Sequence, residues 1–139
     1  MIMQDRRSSL KGAGLPDAML SALRELRAVV PARVLVVPTR AWTLATGERA
    51  LELRSALQGG VVMAGARYVN GDDFTEADYQ EVTRAPVNEA GRAFAVALEG
   101  CAPAEVCCVP ALRLPTDRPT MIGLGDAFVG GFLAALSRC

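Results

Sequence analysis

The sequence predicts an α/β fold, a parallel sheet with helices covering both of its faces. Two short apolar runs without alternation, Arg33 to Val37 and Val106 to Val109 within Glu105 to Leu114, read as strands buried on both sides. Segments with helical spacing lie before, between and after them, and Gly, Pro and Asn-Gly-Asp clusters punctuate the boundaries. The 139 residues are 51% hydrophobic and 22% charged, the balance of one globular domain.

In chain order, residues 1–14 are polar at their start and are expected to form a flexible N-terminal segment ahead of a domain spanning 15–139. Leu15, Met19, Leu20, Leu23, Leu26 and Val30 recur at helical spacing, with Pro16 near the start and Pro31 just past the end. The strand Arg33 to Val37 follows and is closed by Pro38 and Thr39. Glu48 to Gln58 carries good helix formers and is expected to stop at Gly59-Gly60. Val61 to Val69 reads as an extended or mixed segment ending in the Asn70-Gly71-Asp72 turn. Thr75 and Asp78 form a capping-box pattern for a short helix through Val82. Pro86 to Leu98 makes another helix, with Ala90, Phe94, Ala97 and Leu98 on one stripe and Gly100 at its end. Val106 to Val109 is the second strand, Pro115 to Pro119 a polar connector, and Phe128, Phe132, Leu133 and Leu136 lie on a final helix.

Composition excludes several chemistries. With no histidine, the chain cannot build a Ser-His-Asp triad, a Cys-His dyad or a histidine-ligated zinc site. Fifteen basic and fifteen acidic residues leave no broad cationic face for nucleic acid. Apolar runs such as Val61 to Ala66 fall far short of the ~20 residues that span a bilayer. With no apolar leader at the start, a cytoplasmic setting is expected. Cys101, Cys107, Cys108 and Cys139 contain no Cys-x-x-Cys pair and read as small apolar residues, and no metal-ligating set is apparent.

The chemistry concentrates in Thr120 to Leu133. Gly123 and Gly125 permit positive φ and close backbone approach, and the helix that follows leaves its first N–H groups without intrahelical partners. Those donors and the positive end of the helix dipole make an anion site. Asp126 in that turn has two readings: a first-turn acid that complements the dipole, or a carboxylate kept ionised to accept a proton from a substrate hydroxyl. The P-loop pattern is absent, since the only lysine is Lys11, and the dinucleotide fingerprint fails because Phe128 stands where its third glycine belongs.

Thr120-Met121-Ile122-Gly123-Leu124-Gly125-Asp126-Ala127-Phe128 resembles the C-terminal signature of ribokinase-fold sugar kinases. The segments Val37 to Trp42, Ala56 to Val61 with Ala66-Arg67-Tyr68, and Val106 to Pro110 make the whole similar to the ADP-dependent phosphofructokinase/glucokinase family, over about Val34 to Leu136. The resemblance implies the C-terminal part of a three-layer α/β/α ribokinase-like large domain. It implies Asp126 as general base, Gly123, Leu124 and Gly125 as the anion hole, and Thr39, Trp42, Val109 and Thr120 near the nucleotide. The implied reaction converts ADP and glucose or fructose 6-phosphate into AMP and the phosphorylated sugar, with Mg2+ held by residues absent from this chain. Pro38 replaces the histidine usual in the family, and nothing matches the lid or the Asn-x-x-Glu magnesium motif. The lone chain is therefore expected to bind nucleotide weakly and to turn over no sugar without a complementary N-terminal polypeptide, and its uncovered sheet favours self-association. Two other readings are a fragment of an ATP-dependent ribokinase-type kinase and a non-enzymatic α/β interaction module.

Overall fold

A computed structural model of the chain describes residues 15–138; the expected flexible segment 1–14 and Cys139 lie outside the described residues. Three strands, β1 (Val34–Pro38), β2 (Trp42–Gly47) and β3 (Val106–Pro110), form one sheet in the order β1-β2-β3. Helix α1 (Leu15–Val29) precedes it. A 3-10 turn (Ala50–Leu53), α2 (Arg54–Asn70), a second 3-10 turn (Gly71–Asp73), α3 (Glu76–Thr83) and α4 (Glu89–Cys101) connect β2 to β3. Helix α5 (Leu124–Leu136) closes the chain.

The expected parallel sheet is corrected: both pairings are antiparallel, with Val37 opposite Leu44 and Leu44 opposite Cys108. Only Thr39-Arg40-Ala41 separates β1 from β2, too short for any crossover, so the two strands fold back on each other. Strand β2 was missed in the sequence because two of its buried positions are polar, Thr43 and Thr46 at 2% and 1% exposure. Thr46 solves its burial by donating its hydroxyl to the Glu105 carbonyl at 3.2 Å.

Alternate strand residues enter two cores. Leu44, Val106 and Cys108 pack with Met19, Leu20 and Leu23 of α1 and Phe94 and Leu98 of α4. Ala45, Cys107 and Val109 pack with Leu57 of α2 and Phe128 of α5. Helices thus cover both faces, and adjacent cysteines fall on opposite sides of β3 as the period of two requires. Strand β1, expected to be buried on both sides, is only half-buried.

The expected stop at Gly59-Gly60 and the extended segment after it are also corrected, because α2 runs unbroken from Arg54 to Asn70. The glycines are there for the neighbouring helix. A Cβ on Gly59 would meet the Gly131 carbonyl oxygen at 2.7 Å, and one on Gly60 would meet the Phe128 ring at 2.6 Å. Close packing of α2 on α5 thereby overrides the low helix propensity of glycine, which costs about 1 kcal/mol per residue relative to Ala. Gly71, at φ 77°, ends the helix where the Asn-Gly turn signal placed it.

Thr75 and Asp78 make the reciprocal capping box of α3. Helix α4 starts later than expected, at Glu89 with Asn88 as its cap, and it buries Gly91, Phe94, Ala95 and Leu98 while Ala90 and Ala97 face outward. No helix among the described residues is long and apolar enough to cross a membrane.

Candidate functional site

A cavity of about 550 Å³ opens between the β1–β2 turn, the segment after β3, and the facing helices α2 and α5. Its first wall is knitted from three loops. Thr39 accepts hydrogen bonds from the Ala41 and Trp42 N–H groups on its hydroxyl and donates the hydroxyl hydrogen to the Trp42 carbonyl at 2.6 Å, which shapes the turn. The Ala41 carbonyl accepts from Ala111 N–H at 2.8 Å, Asn88 N–H donates to the Ala111 carbonyl at 2.8 Å, and Arg113 N–H donates to the Pro86 carbonyl at 2.7 Å. Gly91 lets the start of α4 press onto this turn, since a Cβ there would overlap the Ala41 carbonyl oxygen at 1.8 Å.

The opposite wall is apolar, with Val61, Ala64 and Gly65 of α2 and Leu124 and Phe128 of α5. The charged lining residues are Arg40 and Arg113, both exposed and neither in an ion pair among the described residues. A cavity with apolar walls and two uncommitted guanidinium groups at its rim suits an anion attached to a flat apolar body.

At one end of the cavity, Gly123 caps α5 in the left-handed conformation, φ 80° and ψ 11°. The first bond within the helix runs from Ala127 N–H to the Gly123 carbonyl at 3.0 Å, so the N–H groups of Leu124, Gly125 and Asp126 have no partner within the helix. Leu124 and Gly125 line the cavity. Asp126 is the next residue, in the first turn and exposed, with no side-chain partner among the described residues. A carboxylate there complements the positive end of the helix dipole, and it is open to approach from outside.

The turn is held by a side chain from α2. Arg67 keeps a side chain only 20% exposed, donates from Nε to the Ile122 carbonyl at 2.8 Å, and pairs through its other end with Asp72. A Cβ on Gly123 would meet the Arg67 guanidinium at 2.8 Å, so the two side by side admit only glycine. Thr120 N–H donates to the Tyr68 carbonyl at 2.9 Å, which moors the start of the same loop to the end of α2. No local signal identifies this role of Arg67, because the Ile122 carbonyl lies 55 residues away in sequence.

Of the residues singled out in the sequence, Thr39, Leu124 and Gly125 line the cavity, and Gly123, Asp126 and Thr120 adjoin it along the chain. Val109 sits behind the lining in the same buried cluster as Phe128. Trp42 belongs to the other face of the sheet, stacked on Phe94 with ring centroids 4.7 Å apart. Arg40, within the Val37 to Trp42 segment of the resemblance, also lines the cavity, as do Arg113 and Tyr68, which no expectation placed there. Among the described residues, no group of three or more His, Cys, Asp or Glu side chains is placed to hold a metal ion.

No protein-family model matches the sequence, and no curated protein matches it. Solved structures do. The chain is similar to a phosphofructokinase from Pyrococcus horikoshii OT3 crystallised with AMP, at 23% identity and a TM-score of 0.70, over 90% of this chain and 31% of that one. It is similar to the last common ancestor of ADP-dependent phosphofructokinases from Methanosarcinales, at 16% identity and a TM-score of 0.72, over 91% and 30% of the two chains. A third, an ADP-dependent kinase in complex with fructose-6-phosphate and ADPβS, gives 16% identity and a TM-score of 0.71, over 91% and 32%. The chain therefore has the fold of part of the ADP-dependent phosphofructokinases, and it spans about a third of their length.

Proposed function

We propose that this chain forms the nucleotide side of an ADP-dependent sugar kinase of ribokinase-like layering. The observation that carries the reading is the entry to α5: three N–H groups without helical partners, on a turn fixed by Gly123 and Arg67, two of them from residues that line a cavity with a cationic rim. Helix-end donors hold phosphoryl oxygens without net positive charge, and Arg40 and Arg113 add attraction for a diphosphate. The apolar wall of Val61 and Phe128 accepts the flat face of a purine, with Thr39 at its edge and Val109 as its backing. Thr120 and Trp42 act in this reading by holding the two loops in place.

Asp126 takes the proton from the sugar hydroxyl, the freed oxygen attacks the β-phosphorus of ADP, and the bond from that phosphorus to the bridging oxygen breaks to release AMP. The N–H groups of Gly125 and its neighbours stabilise charge on the transferred oxygens, the positioning and electrostatic work that dominates phosphoryl transfer. No group of three or more His, Cys, Asp or Glu side chains among the described residues is placed to hold a metal ion, and in this reading Mg2+, which would offset phosphate charge, would be held by residues outside this chain. The same holds for the groups that choose glucose or fructose 6-phosphate and for the polypeptide that completes the cleft.

Calorimetry of the purified chain with ADP, AMP and ATP tests the reading. Weak binding with ADP preferred over ATP is expected, together with chemical-shift changes centred on Gly123 to Asp126. Preference for ATP, or no response at that turn, refutes it. ADP-dependent phosphorylation of glucose by the chain alone removes the need for a completing polypeptide. In a completed enzyme Asp126→Asn lowers kcat by about 10² to 10⁴.

A further inference from the structure

The two edges of the sheet differ. The bonds from Gly47 N–H to the Glu105 carbonyl and from Ala111 N–H to the Ala41 carbonyl set the β2–β3 ladder, which turns the peptide groups of Val106, Cys108 and Pro110 away from β2. On this edge every outward donor is used. Val106 N–H donates to the Ala102 carbonyl at 3.2 Å, Cys108 N–H donates to the Glu99 carboxylate at 2.7 Å, and Pro110 has no N–H. The Cys108 carbonyl accepts from Arg54 at 3.5 Å, and Arg54 pairs with Glu99 at 2.5 Å. An ion pair thus stands where the next strand's peptide group would lie, and the β3 edge is closed.

Among the described residues the β1 edge has no such cover. The bonds from Glu48 N–H to the Arg33 carbonyl and from Thr39 N–H to the Trp42 carbonyl direct Leu35 and Val37 toward β2 and leave Val34 and Val36 facing outward. Their outward groups have no partner among the described residues. Both helical layers also leave apolar side chains exposed. Helices α2 and α4 pack on β3, whereas α1 packs on α4 and α5 on α2. The side chains of Val37 and of Val34 and Val36 join the clusters of α1 and α5 respectively. Leu26 and Val29 on α1, and Val129, Leu133 and Leu136 on α5, are exposed.

We infer that β1 is the interface for a second copy of this chain, whose β1 runs antiparallel to it about a two-fold axis at Leu35. Val34 and Val36 are two residues apart, so each faces the other across the axis, and the two reciprocal pairs exchange all their outward main-chain hydrogen bonds. The ladder ends at Pro38, which has no N–H to leave unpaired. Fifteen charges of each sign leave no net repulsion between copies. This inference stands independently of the kinase reading.

Sedimentation of the purified chain at micromolar concentration is expected to give twice its 14.7 kDa mass. Amide exchange at Val34 and Val36 slows at least about tenfold from dilute to concentrated samples, while the Leu35 amide, bonded to β2, stays protected in both. Val36→Pro removes an outward donor and no bond to β2, and it weakens association at least about tenfold because both copies lose a rung. Since V36P also alters packing beside Phe128, exchange in the unsubstituted chain decides by itself. A monomer at every concentration, including one that accepts a strand only from a different polypeptide, overturns the inference. So does a dimer whose Val34 and Val36 amides exchange as fast as in dilute solution.

Discussion

Replacing Arg67 by alanine removes one side chain that is tied at two places of unequal worth. The Nε–H bond to the Ile122 carbonyl, 2.8 Å long on a side chain 20% exposed, is a charge-assisted bond to a neutral acceptor, of the kind that contributes about 1.5–3 kcal/mol. The pair with Asp72 is different: that carboxylate is 76% exposed, and exposed ion pairs contribute about 0–1 kcal/mol. R67A is therefore expected to cost about 2–3 kcal/mol, a fall in Tm of about 6–12 °C for a chain of this size. D72A should cost no more than about 1 kcal/mol. Urea denaturation gives both values, and the amide spectrum gives their location, with Gly123 and Gly125 moving most in R67A and little in D72A. Equal losses in the two variants would place the stabilisation in the ion pair and refute the reasoning. An R67A chain within about 0.5 kcal/mol of the parent would refute it outright.

Three further outcomes follow from the same geometry. Gly123→Ala forces an L-residue to φ 80° with its Cβ 2.8 Å from Arg67 and costs at least about 1–2 kcal/mol by denaturation, whereas Gly125→Ala, whose Cβ meets nothing within 4 Å, leaves stability unchanged or slightly raised. Gly131→Ala drives a Cβ to 2.3 Å from the Gly59 carbonyl oxygen and costs about 1–3 kcal/mol, while its neighbour Gly130→Ala, open on all sides, gains up to about 1 kcal/mol; thermal melts of the pair check the contrast. Burial pushes the Cys108 thiol up from 9.0 to about 12, helped by the Glu99 charge. The folded chain keeps a proton that the unfolded chain loses, so the contribution to stability is complete below pH 9 and is lost as pH rises toward 12. Denaturation midpoints that fall through the alkaline range, with Cys107 and Cys108 inert to thiol reagents until unfolding, are the expected readout.

The elements legible in the sequence were those whose reasons are local. Helix α1 is written in the spacing of Met19, Leu20 and Leu23, α3 in the Thr75–Asp78 box, and β3 in an unbroken apolar run that is fully buried. The glycine turn was legible because positive φ and an uncapped helix start are demands made within four residues. What escaped has causes elsewhere in the chain. Strand β2 is buried, Thr43 and Thr46 included, because it is the central strand between β1 and β3, and α2 survives Gly59-Gly60 because α5 needs the space. Nothing near Arg67 in the sequence points to the Ile122 carbonyl, 55 residues along, that its guanidinium holds.

The glycines of α2 and α5 connect these misreadings to the site. Gly59, Gly60 and Gly131 let the two helices approach closely enough for the Phe128 ring to lie over α2, and Phe128 is itself in the first half of α5. That contact fixes where α5 begins, and Arg67, two turns beyond Gly60 on the same helix, then reaches the turn that caps it. The cavity lies between these two fixed points, with Val61, Ala64 and Gly65 on α2 and Leu124 and Gly125 on α5. One helix therefore supplies the packing that places α5, part of the cavity wall and the guanidinium that holds the turn. The turn from Gly123 to Asp126 is in this sense built by α2, and the glycines that look like a helix stop in the sequence are what allow it.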